Sequence, residues 1–161
     1  MAHLDRSAMM DRLSSARIAT SASAFLDAGV VLAAAKKQHS LPVYFLFGQS
    51  IELSLKSFLR GKGYSKKRLR DISHDLALAL TKASQEGIDE FLKISADDSE
   101  LIASLGFHYR SKDLQYTEVG LKAPYPDIKD VESFAKKLLA AVRPFADQNL
   151  KAHYGKSTAV L

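Results

Sequence analysis

The stretch Leu41-Pro42-Val43-Tyr44-Phe45-Leu46-Phe47-Gly48-Gln49-Ser50-Ile51-Glu52-Leu53-Ser54-Leu55-Lys56-Ser57-Phe58-Leu59-Arg60 decides how this chain folds. It is apolar nearly all round when wound as a helix, which is what a central bundle helix contacted from several sides requires. Pro42 suits a first helical turn, and Gly61 and Gly63 suit a stop, so the helix is expected over 42–60. Its exceptions are informative. Gln49, Glu52 and Lys56 are spaced i, i+3, i+7 and form one polar stripe on an otherwise buried helix. Glu52 to Lys56 is also the favourable i, i+4 orientation for an ion pair.

Outward from this helix the same periodicity continues. Met10, Leu13, Ala16 and Ile18 predict a helix over 7–19, and Ala24, Phe25, Ala28, Val31, Leu32 and Ala35 predict the buried stripe of a second over 20–38. Thr20 or Ser21 is its expected cap, and Lys36 and Lys37 suit its last turn. Gly29 costs such a helix about 1 kcal/mol unless a neighbour approaches closely there. A short turn over 65–71 precedes a helix that Ser73 caps, that Asp75 favours through the dipole and that Gly87 closes. A helix over 97–108, capped by Ser95 or Asp97, turns Leu101, Ile102 and Leu105 inward. Periodicity fails from 109 to 126, where Gly120, Pro124 and Pro126 mark an irregular crossing. The last helix starts at Asp127 and buries Val131, Phe134, Ala135, Leu138, Leu139 and Val142. Pro144 is expected to kink or end it, with a core over 18–146 and a loose tail over 147–161. No period-2 run supports a sheet, so the reading is a single all-α domain over 1–161.

The 161 residues include 47% hydrophobic and 25% charged residues, ordinary globular fractions. A chain of this length buries roughly 70% of its unfolded surface, enough for a core without staples. With no cysteine, thiolate catalysis, disulfides, Cys-ligated zinc and iron–sulfur clusters are all excluded. No basic leader runs into an apolar stretch, and no 18-residue apolar segment occurs anywhere, so a cytoplasmic protein without membrane contact is the expectation.

The net charge of +5 is local: residues 60–70 hold six cations and no acid, whereas 71–100 sum to −6. Arg60, Lys62, Lys66, Lys67, Arg68 and Arg70 can neutralise phosphates, and Tyr64 among them can stack on a base. A basic run at a helix end also complements the helix dipole and is then simply solvated.

The combination of Glu52-x-x-x-Lys56-x-x-Leu59, a basic linker and Ser73-His74-Asp75-Leu76 resembles HEPN domains, small helical bundles, over residues 20–88. The segment 109–116, beginning Tyr109-Arg110, resembles the family's later region. The resemblance implies an up-and-down bundle of four to five helices. It also implies one of several roles: nucleotide or RNA binding, partnership with a small nucleotidyltransferase, or RNase activity of the toxin type, frequently as a homodimer. The nuclease branch carries an Arg and a His four to six residues apart on one helix. Arg68 and His74 have that spacing, but Leu69 follows the Arg where a polar residue is usual, and Asp71-Ile72-Ser73 reads as linker and cap.

Each candidate residue has a second reading. Glu52 and Lys56, with Gln49, line a ligand site or form a structural ion pair. His74 contacts a phosphate at a helix start, where free N–H groups gather, with Asp75 beside it in the ligand site, or the two cap and pack that helix. His108, Tyr109 and Arg110 suit base stacking with phosphate contact, or simply terminate a helix. His3, His39 and His153 are isolated. No metal-ligand spacing, phosphate loop, dinucleotide fingerprint or nucleophile elbow is present, so neither cofactor nor metal is expected. The leading expectation is a non-catalytic HEPN-like bundle that binds nucleotide or RNA, or partners a nucleotidyltransferase. The alternatives are a metal-independent RNase using Arg68 and His74, and a homodimeric scaffold.

Overall fold

The computed structural model describes residues 6–35, 41–110 and 124–157, with side chains over 14–35, 41–110 and 124–149. Its elements are α1 (Arg6–Ala34), α2 (Leu41–Gly61), α3 (Lys66–Ile72), α4 (Leu76–Gln85), α5 (Ala96–Arg110) and α6 (Ile128–Ser157), with one 3-10 turn at Ile88–Glu90. The described residues contain no strand, and the helices form a bundle around α2, which touches the five others. Phe47, Ile51, Leu55, Phe58 and Leu59 of α2 are fully excluded from solvent, as an all-round apolar helix demands.

Two expectations at the N-terminal end are corrected. Helices over 7–19 and 20–38 are one continuous α1, because no Gly or Pro interrupts 6–28, and Thr20 is mid-helix with its hydroxyl donating to the Ala16 carbonyl at 3.0 Å. The buried face is also rotated from the expected stripe. Ser15, Ala16, Ala19, Ala22, Leu26 and Gly29 face inward; of the expected residues Leu32 packs against the core and Phe25 is half-buried, while Ala24, Ala28, Val31 and Ala35 are exposed. Small residues win because α1 and α2 pack very closely. The Ser15 hydroxyl donates to the Ser57 carbonyl at 2.8 Å and the Ser57 hydroxyl to the Ser15 carbonyl at 2.9 Å. A Cβ on Gly29 would stand 2.7 Å from the Phe47 ring, the close approach that justifies a mid-helix glycine. Against the expectation that no 18-residue apolar segment occurs, Ser14–Ala34 is, by length and composition, apolar enough to cross a membrane. Lys36, Lys37, His39, His3, Gly120 and the 111–116 part of the family-like segment lie outside the described residues, as do the side chains of Met10, Leu13 and His153.

The C-terminal helix also departs from expectation. It runs through Pro144 to Ser157, so 147–157 is helical rather than a loose tail. Proline removes the hydrogen bond to the carbonyl of Ala140, but both residues are exposed and water can satisfy that oxygen. Val142 and Ala146, buried on either side, hold the helix to the core, as do the expected Val131, Phe134, Ala135, Leu138 and Leu139. At α5, Ser95 is the cap: its hydroxyl accepts from the Asp98 N–H at 3.0 Å, while Asp98 accepts from the Ser95 N–H at 2.9 Å. The helix continues to Arg110, two residues beyond the expected end.

Candidate functional site

Glu52 lies in the middle of α2 and is 4% exposed. Burial on this scale is costly for a carboxylate unless donors surround it. Three do: Lys56 Nζ donates to Oε1 at 2.6 Å, Tyr109 Oη donates to Oε2 at 2.7 Å, and His74 Nδ1 stands 3.0 Å from Oε2. Burial by itself would raise the carboxyl pKa. The hydrogen bonds from Lys56, His74 and Tyr109, with the Lys56 charge, outweigh it and hold the group below the ordinary carboxylate range. An ionised carboxylate only accepts, so His74 Nδ1 carries a proton and Nε2 points away from Glu52. Tyr109 responds in the opposite sense: burial and the adjacent Glu52 charge push its hydroxyl well above the usual tyrosine value, keeping it a neutral donor.

Local sequence explains how the partners arrive. Lys56 follows Glu52 by one turn, so their pairing is intrinsic to α2. Tyr109 comes from the end of α5, and its ring sits where a Cβ on Gly48 would be, 2.7 Å from Cδ2. Gly48, one turn before Glu52, thus opens the gap through which Tyr109 reaches it. His74 arrives through a strained turn. Ser73, expected to cap α4, instead closes α3 with φ 54°, and its N–H donates to the Arg70 carbonyl at 2.8 Å. Its own carbonyl accepts from Lys56 Nζ at 2.6 Å. The cap of α4 is Asp75, whose Oδ1 accepts from the Leu78 N–H at 2.9 Å. Its Oδ2 receives Arg110 Nη1 at 3.0 Å. The anion at the start of α4 is therefore the protein's own carboxylate, next to the His74 expected to contact a phosphate.

The constellation is balanced in charge, Glu52 and Asp75 against Lys56 and Arg110. It is also uneven in exposure: side chains of His74 and Arg110 are 60% and 67% exposed, whereas Lys56 is 14%. Gln49 is half-buried one turn before this cluster. Tyr109 and His108, read as faces for base stacking, are buried; His108 stacks on Tyr125 with centroids 4.0 Å apart. Of that trio Arg110 alone is accessible.

The basic run separates similarly. Arg60 is 5% exposed and donates to the Tyr64 carbonyl at 2.6 Å, so it leaves the expected surface patch. Tyr64 is buried too and offers no open ring face: the Arg68 guanidinium lies 3.5 Å from its centroid. On α3, Leu69 and Ile72 anchor the helix while Lys66, Lys67, Arg68 and Arg70 are exposed. Lys67 is 3.9 Å from Asp71, with both side chains largely in solvent, a weak pair. Arg68 and His74 stand on either side of the end of α3, one held by Tyr64 and the other by Glu52, so they do not project from one helix. Compared with family models, curated proteins and solved structures, the chain matches none.

Two further features were not read from sequence. Lys62 Nζ stands 5.3, 5.9 and 5.6 Å from the ring centroids of Phe58, Phe91 and Phe145, which come from three separate segments. A groove of about 730 Å³ between the starts of α5 and α6 is lined by Asp97, Asp98, Glu100, Asp127 and Asp130 among others. Among the described residues no group of His, Asp and Glu is arranged to hold a metal ion.

Proposed function

We propose that this protein is a HEPN-like helical bundle that binds RNA or a nucleotide through phosphate contacts and has no catalysis of its own. One observation carries the reading: α3 exposes Lys66, Lys67, Arg68 and Arg70, with Asp71 as the one acid of that helix. His74 and Arg110, bonded to Glu52 and Asp75, stand exposed at the rim of the Glu52 cluster, and Glu52, Lys56 and Tyr109 serve as its internal support. The acidic groove between α5 and α6 repels phosphate, so the α3 face is the one suited to a polyanion.

The test is RNA binding by fluorescence anisotropy across a salt series. If all four α3 cations engage phosphates of a single strand, log K falls with log salt at a slope of about −3. Lys66→Glu with Lys67→Glu, both on the surface, flattens the slope and weakens binding without lowering the melting temperature. A folded wild-type protein that binds neither RNA nor nucleotide at low salt overturns the reading, and a copurifying nucleotidyltransferase would then favour partnership instead.

A second reading, a homodimeric scaffold, is favoured by the outer face of α1. Ala24, Ala28 and Ala35 are exposed there, and Val31 is 71% exposed. Self-association through this face predicts a dimer by light scattering that Val31→Lys converts to monomer; a wild-type monomer at micromolar concentration removes this reading.

A further inference from the structure

The RNA-binding reading leaves open whether the protein prefers a duplex or an unpaired strand. Phosphate contacts alone read no base, because paired and unpaired strands both present phosphates. An exposed aromatic ring beside those contacts does, because only an unpaired base can leave its stack and lie on it.

Tyr64, the aromatic residue inside the basic run, cannot serve: it is buried and Arg68 covers its ring. The exposed ring near the run comes from elsewhere in the chain. Phe91 follows the 3-10 turn and is 41% exposed. It packs against Phe58 and Phe145 with centroids 5.8 and 5.2 Å away and interplanar angles of 68° and 60°. Neither neighbour lies stacked on Phe91 in the parallel arrangement a base would adopt. Phe58 beneath is fully buried, so the ring has a rigid floor.

Lys62 joins this ring to the basic run. Its exposed side chain places the ammonium over the three phenylalanines, and it lies three residues before Ser65, the cap of α3. The Gly63 turn between them, φ 94°, has nothing within 4 Å of a would-be Cβ. A partly exposed aromatic ring under a mobile lysine, with a row of cations next to it, is the combination that holds single strands, with bases stacked and phosphates paired.

We infer that Phe91 stacks an unpaired base of a single-stranded RNA whose phosphates run from Lys62 onto Lys66, Lys67 and Arg70 of α3. This rests on the RNA-binding reading and names the form of RNA. It assigns Lys62 a phosphate next to the stacked base, for which its ammonium need only swing off the rings.

The experiment compares a labelled unstructured oligonucleotide with a blunt RNA duplex of equal phosphate number, using wild type, Phe91→Leu and Phe91→Tyr. Leu fills the apolar seat over Phe58 and removes the flat face; Tyr keeps the face. The expected result is tighter binding of the single strand by wild type, a loss of roughly five- to tenfold for Phe91→Leu on the single strand, unchanged duplex affinity, and wild-type behaviour for Phe91→Tyr. Equal affinity of both RNAs for wild type, with no effect of Phe91→Leu, overturns the stacking inference and leaves the phosphate reading intact. Binding of neither RNA overturns both. Melting temperatures of the variants identify any loss that comes from unfolding, and in that case the wild type on the two RNAs decides, because the absence of a preference for the single strand overturns the stacking inference.

Discussion

The hydroxyl of Tyr109 donates to Oε2 of Glu52 at 2.7 Å, joining the end of α5 to the middle of α2 across 57 positions of sequence. Both groups are buried, and each sets the other's protonation: the carboxylate keeps the phenol neutral, and the phenol helps keep the carboxylate ionised. Tyr109→Phe retains the ring over Gly48 and removes the donor alone. A buried hydrogen bond to a charged group contributes about 1.5–3 kcal/mol, so we expect a loss of that order in urea unfolding.

Gly48→Ala reaches the same bond from the other side. Alanine gains about 1 kcal/mol in helix propensity, but its Cβ would lie 2.7 Å from the Tyr109 ring and force it to shift. Overpacking of this kind costs about 1–3 kcal/mol, so the net change is destabilising. A Gly48→Ala protein more stable than wild type would show that Tyr109 is not seated as described.

The pH dependence follows from the directions of the two shifts. Glu52 has a folded-state pKa below its ordinary 4.5, so its contribution is present above that value and is lost as pH falls through the lower, folded value. Tyr109 has a folded-state pKa above its ordinary 10.0; its contribution is full below 10.0 and declines as pH rises beyond it. Melting temperature therefore falls on the acid side through Glu52, a drop that Glu52→Gln flattens. On the alkaline side it falls through Tyr109, a drop that Tyr109→Phe flattens.

Ser73 holds φ 54°, a region non-glycine residues rarely occupy. The position is kept by its carbonyl, which accepts from Lys56, and by the His74 bond to Glu52 that follows. Ser73→Gly releases strain on the order of 1 kcal/mol while retaining both bonds, and is expected to raise the melting temperature. Lys56→Met does the reverse, freeing the Ser73 carbonyl and leaving Glu52 one donor short, with a cost of about 3–5 kcal/mol for a broken buried pair.

Much of the architecture was legible in sequence because period and breakers are local properties. The all-round apolar α2, its Gly61 stop, the inward stripe of α6 and the Ser95 cap of α5 all follow from residues within a few turns of one another. The Glu52–Lys56 pair was legible for the same reason. Failures came where a choice depended on a distant partner. Ser15, Ala16, Ala19 and Ala22 face inward on α1 beside Leu26, in place of much of the expected stripe, because α2 packs closely against them. Pro144 does not end α6 because buried residues on both sides hold the helix.

The candidate site divides in the same way. Sequence alone determined an all-helical chain without thiol chemistry, a polar stripe on its central helix, and a cluster of cations between that helix and His74. Only the tertiary structure decided which of those groups a ligand can reach. It sank Arg60, Tyr64, His108 and Tyr109, turned four cations of α3 outward, and brought Phe91 beside Lys62. Exposure is a relation between distant segments, set by which side chains a neighbouring helix covers, and no local spacing of residues encodes it.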